Sequence, residues 1–256
     1  MPAYYCRYLE ALVMQALIDG DIVAYRVACK CEDDDSEDYV FSKVDDLIDK
    51  ITFYTDSDEY KVYLTGSNNF RKAIYPEYKA HRPTEKPFWL QAIRDYLVKE
   101  FNAEICEGQE ADDAMGINQT EETIICTIDK DLLMIPGQHY NFVKDEFQTV
   151  TYMDGLKHFY MQCLQGDRSD NIKGIPGIGP KKAERILEGC DSEYQMFKAV
   201  RNAYGNDEEF LMNGRVLWIR RNVDEDWSIK FNANIQEQTG GTGLEDLEGE
   251  LSFDEV

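Results

Sequence analysis

The sequence predicts an α/β domain: a largely parallel central sheet flanked by helices, followed by a helical C-terminal part. Two observations carry this. Short apolar, β-branched runs alternate with amphipathic segments up to about residue 152, the order that βαβ units impose. Two of those runs stop at an aspartate, Asp19 and Asp129, and in parallel sheets chemistry collects at the carboxyl ends of strands.

Taken in order, Ala11–Ile18 ends in an apolar run and is read as a buried strand, with Asp19-Gly20-Asp21 as a turn after it. Tyr39–Phe53 has helical periodicity, and Lys61–Leu64 is the second strand. Tyr75–Lys86 is polar and basic, punctuated by Pro76 and Pro83 and followed by Pro87. Phe88–Phe101 is an amphipathic helix, Ile105–Cys106 a short strand and Gln109–Ile117 a short helix. Thr123–Ile128 is a buried strand ending at Asp129. After two extended stretches, Tyr140–Val143 and Phe147–Tyr152, the chain reads as helical to its end. The expected divisions are a core over 11–160, a helical part over 161–232 and an acidic, disordered tail over 233–256.

Hydrophobic residues make up 43% of the 256, enough for a sizeable core. No run approaches the roughly 20 apolar residues of a membrane span, and the N-terminus lacks a signal-peptide layout. Seven cysteines without a C-x-x-C pair suggest free thiols in a reducing cytoplasm rather than disulfides or a structural zinc. His81, His139 and His158 lie far apart, which argues against a histidine metal site.

The net charge of −23, from 27 Lys+Arg and 50 Asp+Glu, speaks as an average against a nucleic-acid partner. The charge comes in blocks, however. Residues 32–38 hold six acids and no base, and from Phe231 onward there are seven acids and no Lys or Arg. Without these blocks and the acids considered next, the body is close to neutral.

Four acidic clusters fall at element ends: Asp19; Glu110, Asp112 and Asp113; Asp129 and Asp131; Asp167 and Asp170. Glu110 and Asp113, like Asp167 and Asp170, are one helical turn apart and would share a face. Asp129 and Asp131 at a strand end point the same way. So many carboxylates share a cleft only if divalent cations offset their repulsion. Oxygen ligands without His or Cys select Mg²⁺ or Mn²⁺, and the matching reaction is phosphodiester hydrolysis with two ions.

Gly174-Ile175-Pro176-Gly177-Ile178-Gly179-Pro180-Lys181-Lys182 reads as a helix–hairpin–helix turn (helix–three-turn–helix). Its glycines let backbone approach phosphate, a helix N-terminus offers free N–H groups, and Lys181 and Lys182 add charge. Nothing in it reads bases. Arg71 and Lys72, with Tyr78, Lys79 and Arg82, form a second basic group. If helical, Tyr78 and Arg82 share a face at i,i+4, and Lys79 and Arg82 at i,i+3, which suits gripping a single strand.

Together the motifs L-I-D-G-D, F-R-K-x-x-Y-P-E-Y-K-A-x-R, E-A-D-D, T-I-D-K-D and G-D-R-S-D-N-I-x-G-I-P-G-I-G resemble the 5′-nuclease superfamily from about Ala16 to Ile186. That superfamily includes flap endonucleases, phage 5′–3′ exonucleases and the 5′-nuclease domain of bacterial DNA polymerase I. The resemblance implies that the eight acids form the metal site, with Asp19 also catalytic. It makes residues 67–100 a helical arch that threads a 5′ single strand. Lys79 and Arg82 would be its catalytic cations, with Lys79 nearest the scissile phosphate. It gives Gly174, Gly177 and Gly179 to duplex binding, with K⁺ in the hairpin. The implied partner is DNA with a 5′ end, flap or nick, or an RNA–DNA hybrid, for a monomer. A nuclease without a polymerase domain suits a phage, and a replication protein is a partner for the acidic tail. One departure stands out: Leu64-Thr65-Gly66-Ser67 lacks the aspartate many relatives carry there, and Asp21 is the substitute at hand.

Two rival readings remain. Asp19-Gly20-Asp21-Ile22-Val23 fits the start of haloacid-dehalogenase phosphatases, but that reading needs a strand directly before Gly166, where Lys157–Leu164 looks helical. A non-catalytic DNA-junction-binding protein would have the fold without the carboxylates, and these are present.

Overall fold

A computed structural model describes residues 14–239. The acidic tail from 240 on and the first thirteen residues, including the expected start of β1, lie outside the described residues.

Six strands form one sheet in the order β3-β2-β1-β4-β5-β6. β1 (Gln15–Asp19) lies between β2 (Glu59–Asn69) and β4 (Thr123–Cys126), parallel to both. β3 (Glu104–Gly108) and β5 (Gly137–Asn141) extend the parallel set, and β6 (Glu146–Val150) closes it antiparallel to β5. The central strands alternate sides residue by residue. Ala16, Ile18, Val62, Ile124 and Cys126 pack against α1 (Gly20–Ala28), α2 (Glu37–Thr55) and α4 (Leu90–Phe101). Leu17, Tyr63 and Ile125 face α5 (Ala111–Asn118), α6 (Tyr152–Gln165) and the C-terminal helices. Both faces are covered at the centre of the sheet, which is why residues 16–18 of β1 and 124–126 of β4 are buried apolar runs.

The expected turn after β1 is a helix. Asp19 closes the strand and also caps α1, accepting a 3.0 Å hydrogen bond from the Ile22 amide. Gly20 permits this, because a Cβ there would lie 2.6 Å from the Tyr63 carbonyl oxygen of β2. α2 follows its expected periodicity, burying Val40, Val44, Ile48 and Ile51 in one stripe behind a Ser36 cap.

The region read as an arch is helical only at its margins. α3 (Phe70–Ile74) is a single capped turn, α4 begins at Leu90, and residues 75–89 between them are turns. Lys79 takes a left-handed φ of 56°, so helical spacing of Tyr78, Lys79 and Arg82 does not apply.

The C-terminal part is helical with one interruption. After α6 come two short antiparallel strands, β7 (Gly166–Asp167) and β8 (Ile172–Lys173), then α7 (Pro180–Ile186), α8 (Glu193–Tyr204), α9 (Asp207–Leu217) and α10 (Trp227–Thr239). The hairpin forms because Gly166 and Asn171 adopt positive φ and because Gly174 lies against Gly166, closer than any side chain would allow. Phe159 of α6 meets Trp218 and Trp227 edge-on at 4.9 and 5.3 Å, and this joins the C-terminal helices to the sheet's core. No helix among the described residues is long and apolar enough to cross a membrane. The six described cysteines are free.

Candidate metal centre

The strand ends bring the carboxylates together. Asp19, 2% exposed, takes hydrogen bonds from the Ile22 amide and from the Thr127 hydroxyl at 2.7 Å. Thr127 follows β4 and also holds the Asp129 amide at 3.0 Å, while Asp129 receives the Asp131 amide at 2.9 Å. Gln162 of α6 donates to Asp131 at 2.5 Å. Asp167 and Asp170 come from the β7–β8 hairpin, not from a helix face, and Ser169 donates to Asp167 through its amide and its hydroxyl. Carboxylate oxygens of Asp131, Asp167 and Asp170 all lie within 4.8 Å of one another. Glu110 and Asp112 open α5 on the other side, and the field of Asp112 reaches Asp19 and Asp129.

The cluster has too little positive charge. Burial, helped by Asp21 and Asp129 against the Ile22 and Thr127 hydrogen bonds, pushes the Asp19 carboxyl up to about 7. Burial, Asp129 and Asp167 push Asp131 up to about 8. Asp112 is driven well above the usual carboxylate range by burial, Asp19 and Asp129, and Asp129 is raised chiefly by burial. Glu110 goes the other way. Burial alone would raise it, but Arg71 and Lys79 hold it below its ordinary value.

Arg71 of α3 lies 3.7 Å from Glu110, and two further cations come from the turn over the site. The Lys79 ammonium lies 2.5 Å from Glu110 and 3.6 Å from Asp170, and Arg82 reaches Asp170 at 2.7 Å. The backbone follows, with the Lys79 amide donating to the Asp170 carbonyl at 2.9 Å. A divalent cation fits this donor set: the carboxylate oxygens of Asp131, Asp167 and Asp170 cluster with no nitrogen or sulfur ligand among them.

Several expected site residues do other work. Asp113 points away from the cluster. Both its oxygens bind the guanidinium of Arg71, at 2.5 and 2.8 Å, and it also receives the Glu110 and Arg220 amides. Arg71, expected at the DNA, is 2% exposed and donates as well to the Val216 and Trp218 carbonyls. Tyr78, expected to stack on a base, is also 2% exposed; its hydroxyl lies 2.7 Å from Glu110 and 2.8 Å from Asp170. Asp21 does not replace the missing aspartate, because Arg94 binds one oxygen and the Thr65 amide the other. Lys72 is exposed on α3.

Thr127 and Gln162 were missed. Thr127 stands inside the T-I-D-K-D motif and was open to recognition as a carboxylate partner. Gln162 reaches Asp131 from 31 residues away and has no local signal. In the hairpin, Gly177 has a φ of 78° and Gly179 caps α7 with open space around its Cα. Lys181 and Lys182 are exposed, Lys182 donating to the Gly177 carbonyl at 2.8 Å.

The model of the family described as 5′-3′ exonuclease, N-terminal resolvase-like domain, matches residues 14–160. DNA polymerase I of Borreliella burgdorferi is 33% identical over 175 residues, covering 59% of this chain and 18% of that protein. Against such polymerases the chain spans about a fifth of their length. Flap endonuclease Xni of Shewanella oneidensis is 25% identical over 218 residues, covering 78% of this chain and 84% of Xni. The crystal structure of the T5 D15 protein with metal ions has the same fold, with a TM-score of 0.62 at 17% identity over 88% of this chain and 94% of that one.

Proposed function

The chain belongs to the 5′-3′ exonuclease family through its N-terminal resolvase-like domain, and on that premise we propose that it is a divalent-metal-dependent 5′ nuclease. It hydrolyses phosphodiester bonds at DNA 5′ ends or flaps. The observation that carries this is the convergence of Asp19, Glu110, Asp112, Asp129, Asp131, Asp167 and Asp170 from four separate elements, with few cations beside them: Lys79, Arg82 and, at Glu110, Arg71. Flap endonuclease Xni supports the substrate class.

Asp131, Asp167 and Asp170 would hold one ion, and Asp19, Glu110, Asp112 and Asp129 a second. Two bound Mg²⁺ or Mn²⁺ ions supply charge that stabilises both the attacking and the leaving oxygen. The chain's own residues position the rest. Thr127 and Gln162 fix the orientation of Asp19, Asp129 and Asp131. Lys79 gives up Glu110 and turns its ammonium to the scissile phosphate, where it offsets developing negative charge. Arg82, about half exposed, grips the 5′ strand. The open backbone at Gly177 and Gly179, with Lys181 and Lys182, holds duplex phosphates without reading sequence and offers carbonyls to K⁺.

Product analysis tests this on flapped, nicked and blunt duplexes, with Mg²⁺ and with chelator. Short 5′ products that require Mg²⁺ are expected. Release of phosphate from a small phosphoester, with DNA left intact, would favour a phosphatase instead. The helix α6, running directly into Gly166, already speaks against that reading.

A further inference from the structure

On the other face of the sheet, a cavity of about 590 Å³ opens between α1, α2 and the β5–β6 turn. It shares no residue with the carboxylate cluster. Its lining holds four cations, Arg26, Lys30, Lys43 and Lys50, and a single acid, Asp46. In a chain of net charge −23, such a concentration of positive charge needs a reason.

Two of the cations are already engaged. Lys50 lies 2.6 Å from Asp145 and donates to the Phe142 carbonyl, and Lys43 lies 3.1 Å from Asp46. The Lys43 pair is exposed on both sides, so an incoming anion exchanges it at little cost. The side chain of Arg26, half-buried on the last turn of α1, has no hydrogen bond or ion pair among the described residues, and neither has the side chain of Lys30 just beyond it. The rest of the lining is apolar. Val27, Leu47 and Phe142 form the floor, and the half-exposed Tyr39 stands at the rim with Lys43 5.2 Å from its ring centre.

We propose that this cavity binds a nucleoside phosphate, with its phosphate on Arg26 and Lys30 and its base against Tyr39 and the apolar floor. Each part of the ligand answers a feature of the site. An unpaired guanidinium beside an ammonium matches a phosphate's geometry and charge. The volume lies in the range of small-molecule sites and far exceeds a bare phosphate. An aromatic ring at the rim of an apolar floor suits a flat, partly polar base. The position also bears on the metal centre. α1 starts at the cap that Asp19 provides and ends beside Arg26, roughly 10 Å further along its axis.

Titration calorimetry on the full chain, in chelator to keep the carboxylate cluster metal-free, tests the proposal with deoxyadenosine monophosphate and, separately, inorganic phosphate. One saturable site is expected, at least 10-fold tighter for the nucleotide than for phosphate. Arg26→Ala with Lys30→Ala should weaken the nucleotide at least 10-fold and leave melting temperature and Mg²⁺-dependent DNA cleavage unchanged. Asp131→Ala should leave nucleotide binding intact, which separates this site from the metal centre and from the nuclease reading. Tyr39→Ala, an exposed substitution that any folding defect in the double variant does not touch, should weaken the nucleotide and spare phosphate. Absence of saturation overturns the proposal. So does binding lost in Asp131→Ala but kept in the double variant, and so does phosphate binding as tight as the nucleotide.

Discussion

Asp112 and Asp113 are neighbours in one motif on the first turn of α5, yet they belong to opposite regimes. Asp113 is wholly buried against the guanidinium of Arg71; burial would raise its carboxyl, but that charge and the hydrogen bonds hold it below the ordinary value. Asp112 faces Asp19 and Asp129, and its carboxyl is driven well above the usual range by burial and by them. A balanced buried carboxylate holds structure, whereas an unbalanced one is held ready for an external cation.

Unfolding stability should separate the two carboxylates by the widest margin. Asp113→Ala leaves Arg71 buried without its partner and should cost about 3–5 kcal/mol. Asp112→Ala removes a repelled charge and should leave the metal-free protein as stable as before or more so. Urea unfolding of the two variants side by side checks this. Equal losses would erase the distinction.

A second test concerns the cation over the site. Lys79→Ala should lower the single-turnover cleavage rate by about 10²-fold, on the scale of one lost preorganised contact, with DNA affinity nearly unchanged. A change in affinity alone would make Lys79 a tether. Third, Mg²⁺ should stabilise the wild type by about 2.7 kcal/mol for each site at a hundredfold excess over its Kd. Thermal melts of Asp129→Ala with Asp131→Ala should show that gain lost, whereas melts of Asp113→Asn should show a lower baseline with the gain kept.

The smallest effect is in pH. Asp19 and Asp131 have folded values of about 7 and about 8, above the ordinary 3.8, so between roughly pH 4 and 8 these carboxyls bind more protons folded than unfolded, outweighing His139 and His158, which burial lowers and which act in the opposite sense. Stability in chelator should therefore rise as pH falls from 8 to 5. Because Asp113 and Glu110 are lowered, it should fall again on further acidification as they protonate. The rise is modest, because protonating one member of the cluster relaxes the others. Denaturant melts across pH should show a maximum on the acidic side, and saturating Mg²⁺ should abolish the rise.

Much of the fold could be read in the sequence where patterns are local. The alternating strands and the stripe of α2 are periodic, and Asp19 and Asp129 stand at strand ends as parallel sheets require. α1 was hidden because Asp19-Gly20-Asp21 has turn chemistry, and only the close approach of Gly20 to β2 makes it a helix start. In the candidate site, the acids were visible as residue types but not as directions. Nothing near Arg71 announces that Val216 and Trp218, some 145 residues away, supply the carbonyls that bury it. The basic turn over the cluster was misread for a related reason. Its spacing fits a helix, but Lys79 is held left-handed by a backbone bond to Asp170 across the site.

Whether the unbalanced carboxylates form a divalent-metal centre that cleaves DNA at 5′ ends is decided by single-turnover cleavage of a 5′-labelled flapped duplex by the wild type and by Asp129→Ala with Asp131→Ala, with DNA affinity measured on the same samples. Cleavage by the wild type only with Mg²⁺ or Mn²⁺, and none by the double variant at affinity within about threefold, on the scale of rim charges rather than anchors, is the predicted result. Cleavage in chelator, or normal turnover by the double variant, would contradict it.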